Sequence, residues 1–258
     1  MKKYATVCKL DECSKKLEQK IKKELDTFMT YDEDSPELVI SVGGDGTVLY
    51  SVHKYIHQLD QVSFIGIHSG TLGFLTDYQK DEYMDLVHDI RLDEFKTYNR
   101  CLLEVKTHDE TYMALNEVRL ENNRRSQVLG VYINGDFFET FRGNGLCVST
   151  ASGSTAYNKS LGGAVINSGA GLMQLSEIAG IHHNAYRSLG SPLILDWTHI
   201  IHLESENFDG SILGIDTLVV DLKGAGSVDI SLAKQRARFV QYKRVPYIER
   251  LKRAYLSE

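Results

Sequence analysis

Apolar positions in the first third of the chain switch between two periods. Residues 3–10 read as a strand, and Leu17, Ile21, Leu25 and Phe28 then recur at i, i+4, i+8 and i+11, one face of a helix. Lys15 to Lys23 fall on the opposite, solvent side of that helix. The acidic connector YDEDSPE leads into Leu38–Val42, a continuous apolar run that reads as a buried strand. Val48, Leu49, Val52, Tyr55, Ile56 and Leu59 mark a second helical face, VSFIGI at 62–67 a second buried strand, and 79–90 a further helix. Strands separated by helices of this length predict a parallel sheet with right-handed crossovers.

From residue 97 the period shortens. CLLEVKT, TYMALNEVRL, QVLGVYI and DFFETF are short strand-like runs, and Asn134-Gly135 between the last two is a hairpin signal. LILD, HIIHLE, TLVVDL, SVDISL and ARFVQY continue the series, interrupted by a small-residue stretch at 149–171. The expected organisation is an α/β domain with a Rossmann-like parallel sheet over 1–95 and an all-β, sandwich-like domain over 96–240. A C-terminal helix over 241–258 is expected to return to the first domain.

Composition changes this picture little. With 258 residues, 42% apolar and 25% charged, the chain has the make-up of a soluble globular protein. A formal net charge of −6 argues against nucleic acid held by a basic field. No run approaches the ~18 apolar residues of a membrane-spanning helix. The start, MKKYATVCKLDECSKK, turns polar too early for a signal peptide. The expectation is a cytoplasmic protein whose cysteines, Cys8, Cys13, Cys101 and Cys147, are free thiols. Neither they nor the nine histidines, such as adjacent His182 and His183, have metal-ligand spacing.

Candidate chemistry starts at VISVGGDGTVLYS, where a buried strand ends and a helix opens. Gly43, Gly44, Gly46 and Thr47 fall at a strand's carboxyl end, where a helix N-terminus directs N–H groups at an anion. Neither the P-loop Lys-Ser/Thr pair nor the third glycine of the dinucleotide fingerprint is present. A lone Asp45 in that loop fits a turn, or a carboxylate that binds Mg²⁺ or takes a proton from an attacking hydroxyl. A second cluster, IGIHSGTLGFL, places Gly70 and Gly73 after the next strand; Phe74 beside them packs in the core or lines an adenine or ribose pocket.

In ALNEVRL, strand alternation sends Leu115, Glu117 and Arg119 one way and Asn116 and Val118 the other. Asn116 and Glu117 suit vicinal ribose hydroxyls. The densest stretch is FRGNGLCVSTASGSTAYNKSLGGA, with five glycines and eight Ser, Thr or Asn side chains, besides Arg142, Tyr157 and Lys159, among packed apolar ones. It can wrap a polar ligand, and residues 149–155 can cap a helix-like TAYNKSLGG. The tail's Arg236, Arg238, Lys243, Arg244, Arg250, Lys252 and Arg253 read as a solvated basic face, or as a surface for polyphosphate or a partner subunit.

GGDGT at 43–47, H-x-G-x-LGFL, Asn116-Glu117 and STASGSTAYNKSLGGA, in that order and spacing, resemble the NAD kinase family, most closely the short enzymes of Gram-positive bacteria. The likeness spans roughly 38–190; GGDGT alone is shared with lipid kinases and phosphofructokinases. The resemblance implies phosphorylation of the adenosine 2′-hydroxyl of NAD by Mg²⁺-ATP, with Asp45 as general base. It implies that Gly43, Gly44, Gly46 and Thr47 approach the ATP phosphates. Asn116 and Glu117 would hold the adenosine ribose, Thr155, Ala156, Tyr157 and Ser160 would contact the adenine and diphosphate, and Asp45, Gly46, Phe74, Ser152, Asn158 and Lys159 would also contact NAD. Arg142 and Asn144, closed by Ala179, Ile181 and Tyr186, would lie near the nicotinamide half. A homodimer or homotetramer is implied, with no nucleic-acid or membrane partner. A lipid kinase built on the same loop leaves 149–164 unexplained, and a non-catalytic dinucleotide sensor leaves Asp45 structural.

The family usually carries Asp where this chain has Asn144, and often Asn where it has His68. Ala151 replaces a usual Pro and loosens that turn. Loss of a negative charge near a cationic nicotinamide ring weakens the grip on oxidised NAD. Asn144→Asp is expected to lower the KM for NAD in steady-state kinetics; an unchanged KM rejects this reading.

Overall fold

The computed structural model describes every residue except 71, 72, 183, 185, 243, 244, 257 and 258. The chain divides into two compact units, Met1–Asn99 with Arg236–Glu258, and Arg100–Gln235. The sequence expectation put these divisions a few residues away, at 95/96 and 240/241. The strands Lys96–Lys106 and Gly226–Gln241 run straight through both divisions, so the apolar pattern has no break to mark them.

The first unit is built on a parallel sheet. Its order is the end of Gly226–Gln241, Ser63–His68, Leu38–Val42, Lys3–Cys8 and Thr30–Tyr31, with the short strand Tyr78–Gln79 also pairing Ser63–His68. Leu38–Val42 is buried along its whole length, as expected of a strand covered on both faces. Helix Glu12–Leu25 is capped by Asp11, whose side chain accepts from the Ser14 N–H, and buries Leu17, Ile21 and Leu25 against the sheet. Phe28, assigned to the same helical face, lies beyond the helix end and is only half-buried. Helix Asp45–Lys54 buries Val48, Leu49 and Val52. A hydroxyl pair ties it to the sheet, Ser51 Oγ lying 2.6 Å from Ser41 Oγ and donating to the Thr47 carbonyl. The helix expected at 79–90 is a 3₁₀ turn, Lys80–Glu82, followed by Tyr83–Leu92.

The second unit is an antiparallel sandwich. One sheet has the order Leu193–Asp196, Leu172–Ile178, Gly145–Thr150, Glu117–Glu121, Ile212–Ile215, Leu218–Asp221. The other pairs Asp136–Gly143 with Gln127–Ile133, then Ile200–Ser205, then the start of Gly226–Gln241. The Asn134-Gly135 turn has φ of +53° and +87° at its two positions, the mirror-image geometry that suits a two-residue hairpin. Val118, Leu120, Leu146, Val148, Met173 and Leu175 from the first sheet meet Leu129, Val131, Phe141, Ile201, Leu203, Val228 and Ile230 from the second in one core. The run TYMALNEVRL is broken by Leu115-Asn116 into the strands Thr111–Ala114 and Glu117–Glu121, so alternation starts at Glu117. Ser149 and Thr150, expected in a cap, belong to the strand Gly145–Thr150 instead. The helical part is only a 3₁₀ turn, Gly153–Thr155, and one turn, Tyr157–Ser160, and Ala156 at its start makes no side-chain cap.

Gly145 sits between two paired strands, opposite Glu121 and Ile178. A Cβ there would fall 2.1 Å from the Leu120 carbonyl oxygen and 2.8 Å from the Glu121 Cα, backbone atoms that cannot swing aside. Gly145→Ala is expected to lower stability by about 3 kcal/mol or more, read from urea unfolding.

Candidate functional site

In the first unit the sheet register aligns Cys8 with Val42 and Val42 with Ile67, so the two glycine-containing loops leave the same sheet edge. Gly43 carries φ +156°, and a Cβ on it would fall 2.2 Å from Thr47 Oγ1. The helix opens at Gly44, with no side-chain cap. The Thr47 and Val48 N–H groups reach back to the Gly44 carbonyl at 2.9 and 3.3 Å. The Asp45 and Gly46 amides have no acceptor within the helix, which is the condition for anion binding.

Asp45 turns its carboxylate toward the second loop. Oδ2 accepts from the Phe74 N–H at 2.8 Å and Oδ1 from the Leu75 N–H at 2.9 Å. A Cβ on Gly73 would lie 2.1 Å from Asp45 Oδ1. The absent side chain of Gly73 therefore makes room for this carboxylate. His68 Nδ1 accepts from the Gly70 N–H at 2.7 Å; burial lowers its pKa and Lys9 adds to this, while the Asp45 charge opposes.

The same loop is held from behind. Arg250 is buried, which removes it from the solvated face assigned to the basic tail. It donates to the Gly73 carbonyl at 3.2 Å and to the Thr76 carbonyl, and pairs with buried Asp77. Phe74 packs between Tyr247 and Tyr255, ring centroids 6.5 and 5.8 Å away. Arg238 is also engaged, donating to Ser63 Oγ and the Gln61 carbonyl. Lys243, Arg244 and His183 lie outside the described residues, as does Leu72 of the LGFL motif.

In the second unit, the face of the six-stranded sheet turned away from the core is polar and buried. Register sets Glu117, Ser149 and Gln174 side by side on three strands, and Arg119, Cys147 and Ser176 in the next row. Asn116 Oδ1, Glu117 Oε2, Arg119 Nε, Ser149 Oγ and Gln174 Nε2 are buried there with no hydrogen-bond partner among the described residues. Buried polar groups are ordinarily paired, so this concentration marks a surface made for a polar ligand or ordered water. The segment after Thr150 lies over the face. Ser176 Oγ donates to Asn158 Oδ1 at 2.8 Å, Gln174 Oε1 accepts from the Ala164 N–H at 2.9 Å, and the Arg119 guanidinium stacks 4.7 Å from the Tyr157 ring centre.

Asp216 organises the Asn116-Glu117 backbone. At φ +50°, its carboxylate accepts the N–H groups of Leu115, Asn116 and Glu117 at 2.7, 2.8 and 3.1 Å. Burial first, and the Asp216 charge second, push the Glu117 carboxyl up to about 7 against the opposing pull of Arg119.

The remaining expected residues divide in two. Arg142 stacks 4.9 Å from the Tyr186 ring centre, and its carbonyl accepts from the Ile181 N–H at 2.7 Å; exposed Ala179, at φ +47°, adjoins them. Tyr157 and Ala156 are partly exposed, Lys159 and Ser160 exposed, and Thr155 buried. Three expected contacts have structural partners. Asn158 is fully buried with both ends of its amide engaged, by Ser176 and by the Ser154 and Ala164 carbonyls. Ser152 Oγ accepts from Arg100 at 2.9 Å, and Asn144 Nδ2 donates to the Asn122 carbonyl at 3.0 Å. An Asp at 144 would set a carboxylate against that carbonyl. Arg250, Asp216, Ser149 and Gln174 were missed; only Ser149 and Gln174 carried a signal, as polar residues at alternate positions of apolar strands. Among the described residues no three His, Cys, Asp or Glu side chains cluster to hold a metal, and no helix is long and apolar enough to cross a membrane.

Comparison with known proteins places both units. Residues 2–95 match the ATP-NAD kinase N-terminal domain and residues 115–241 the ATP-NAD kinase C-terminal domain. NAD kinase 1 of Bacillus subtilis is 40% identical over 263 residues, 99% of each chain. The NAD kinase of Lysinibacillus sphaericus is 40% identical over 261 residues, again 99% of each. In structure, the yeast NADH kinase solved with NADH is similar at a TM-score of 0.86 and 19% identity, covering 100% of this chain and 89% of the other. An NAD kinase of Archaeoglobus fulgidus solved with ATP gives 0.74 at 22% identity, covering 97% and 95%.

A raised carboxyl makes the folded state bind a proton that the unfolded chain has released, so its stabilising contribution is whole below pH 4.5 and lost as pH rises through about 7. Relative to Glu117→Gln, the wild type is expected to lose roughly 3 kcal/mol between pH 4.5 and 8. Urea unfolding of both proteins across this range checks the slope.

Proposed function

The chain belongs to the NAD kinase family, a phosphotransferase that makes NADP from NAD, and from that premise we propose how its residues divide the reaction. Asp45 is the general base. It takes the proton of the adenosine 2′-hydroxyl as that oxygen attacks the γ-phosphorus of ATP, and the bond to the bridging oxygen breaks to release ADP. One observation carries this reading: both Asp45 oxygens are aimed by backbone N–H groups, beside helix amides with no intrahelical acceptor. Gly43, Gly44, Gly46 and Thr47 accept the phosphates there. Mg²⁺ enters as part of Mg–ATP and offsets phosphate charge, since a magnesium site needs only one or two carboxylates besides phosphate oxygens.

The second unit holds the dinucleotide. The unpartnered Asn116 Oδ1 and Glu117 Oε2 suit the hydroxyl donors of a ribose. Ser152, Thr155, Ala156, Tyr157, Asn158, Lys159 and Ser160 shape the adenine and diphosphate part, with Ser152 and Asn158 contributing through the backbone they hold. Arg142, Asn144, Ala179, Ile181 and Tyr186 flank the nicotinamide half, and Phe74 supplies an apolar wall in the first unit. The enzyme acts in the cytoplasm as a homodimer or homotetramer, with polyphosphate the alternative phosphoryl donor.

Formation of NADP from NAD is to be followed with Mg–ATP and with polyphosphate. Asp45→Asn is expected to lower kcat by about 10³-fold while calorimetry shows NAD still bound. Unchanged turnover removes Asp45 from the chemistry.

A further inference from the structure

Among the described basic residues of the tail, Arg250 alone is buried, and its partners are unusual. A surface arginine pairs with a carboxylate in water. Arg250 is 8% exposed and gives one nitrogen, Nη1, to two main-chain carbonyls, Gly73 and Thr76, and another, Nη2, to Asp77. The two carbonyls flank the two peptide N–H groups that grip Asp45, those of Phe74 and Leu75. The segment thus turns its carbonyls toward Arg250 and its amides toward Asp45.

Other contacts leave it little freedom. The Gly73 N–H reaches Thr76 Oγ1 at 3.2 Å, and the Asp77 N–H reaches the Gly66 carbonyl at 2.9 Å on the adjoining strand. The helix Tyr247–Tyr255 lays Tyr247, Arg250 and Tyr255 on the same segment, the two rings against Phe74 and the guanidinium beneath it. Buried carbonyls need donors, and a planar guanidinium offers several in a fixed fork, which one ammonium group does not. Asp77, 3% exposed, neutralises the charge that this places inside the protein.

We propose that Arg250 is a positioning residue for phosphoryl transfer: by holding the Gly73 and Thr76 carbonyls it aims the Phe74 and Leu75 amides, and through them the Asp45 carboxylate. The C-terminal helix is then part of the catalytic apparatus without touching either nucleotide. The inference rests on the reading of Asp45 as general base.

The test separates kcat from KM in the full-length enzyme, normalised to folded protein by circular dichroism. Arg250→Ala is expected to lower kcat by about 10²-fold, the cost of a misplaced catalytic group. Arg250→Lys restores part of that loss, and the KM values for NAD and ATP stay within about threefold of wild type in both variants. Asp77→Asn leaves the arginine on its carbonyls, so it lowers the melting temperature but holds kcat within about threefold. Arg250→Lys decides the matter where Arg250→Ala does not fold. A kcat for Arg250→Lys equal to that of wild type, or a loss confined to KM, overturns the proposal. If Asp45→Asn is inactive and Arg250→Lys is not impaired, the positioning role fails alone. If Asp45→Asn keeps full turnover, the general-base reading fails and this inference goes with it.

Discussion

A carboxylate beside the proposed phosphate site would be repelled by phosphate, by about 4 kcal/mol per unit charge at 4 Å in a partly screened environment. It serves there only if its direction is set and its charge is met by donors. In this protein both conditions are satisfied by main-chain N–H groups. Asp45 opens a helix, and Phe74 and Leu75 grip its two oxygens from a loop that leaves the same edge of the parallel sheet. Gly73 exists as glycine because any side chain there would occupy the place of the carboxylate. The parallel register, the paired loops and the C-terminal helix all converge on that contact.

The second unit solves a different problem. A sheet in a sandwich needs one apolar face, and Val118, Leu120, Leu146 and Val148 provide it. Its other face is polar yet covered, which costs about 1–3 kcal/mol for each buried group left without a partner. The covering segment satisfies part of it, through Asn158 on Ser176 and Ala164 on Gln174, and leaves acceptors at Asn116 and Glu117 open. Asp216 keeps those two residues from relaxing toward other partners by binding their own amides. That cost is the one expected of a polar site formed ahead of a ligand.

Much of this was legible in the chain. Leu17, Ile21 and Leu25 announce a helix face, Leu38–Val42 a strand covered on both sides, and Asn134-Gly135 a hairpin, because each reports a local period or a local backbone requirement. The errors lie where tertiary pairing overrode local pattern. Phe28 kept the helical spacing after the helix had ended, Leu115-Asn116 interrupted a run that reads as one strand, and Ser149-Thr150 were drawn into a sheet although their composition suits a cap. The glycine loop and the serine-rich segment stood out because small residues concentrated in one place are themselves a local signal.

Arg250 and Asp216 were invisible for the complementary reason. Each binds main-chain atoms of a segment remote in sequence, and no spacing or composition near either one encodes a partner that far away. Alone, the sequence determined the alternation of elements, the change from parallel to antiparallel construction, and a lone acid set among the glycines of a strand-to-helix loop, since these follow from periodicity and from what glycine permits. Tertiary structure decided which way that acid points and which buried polar groups stay open, because a hydrogen bond between distant segments exists only once the strands that carry them are in register.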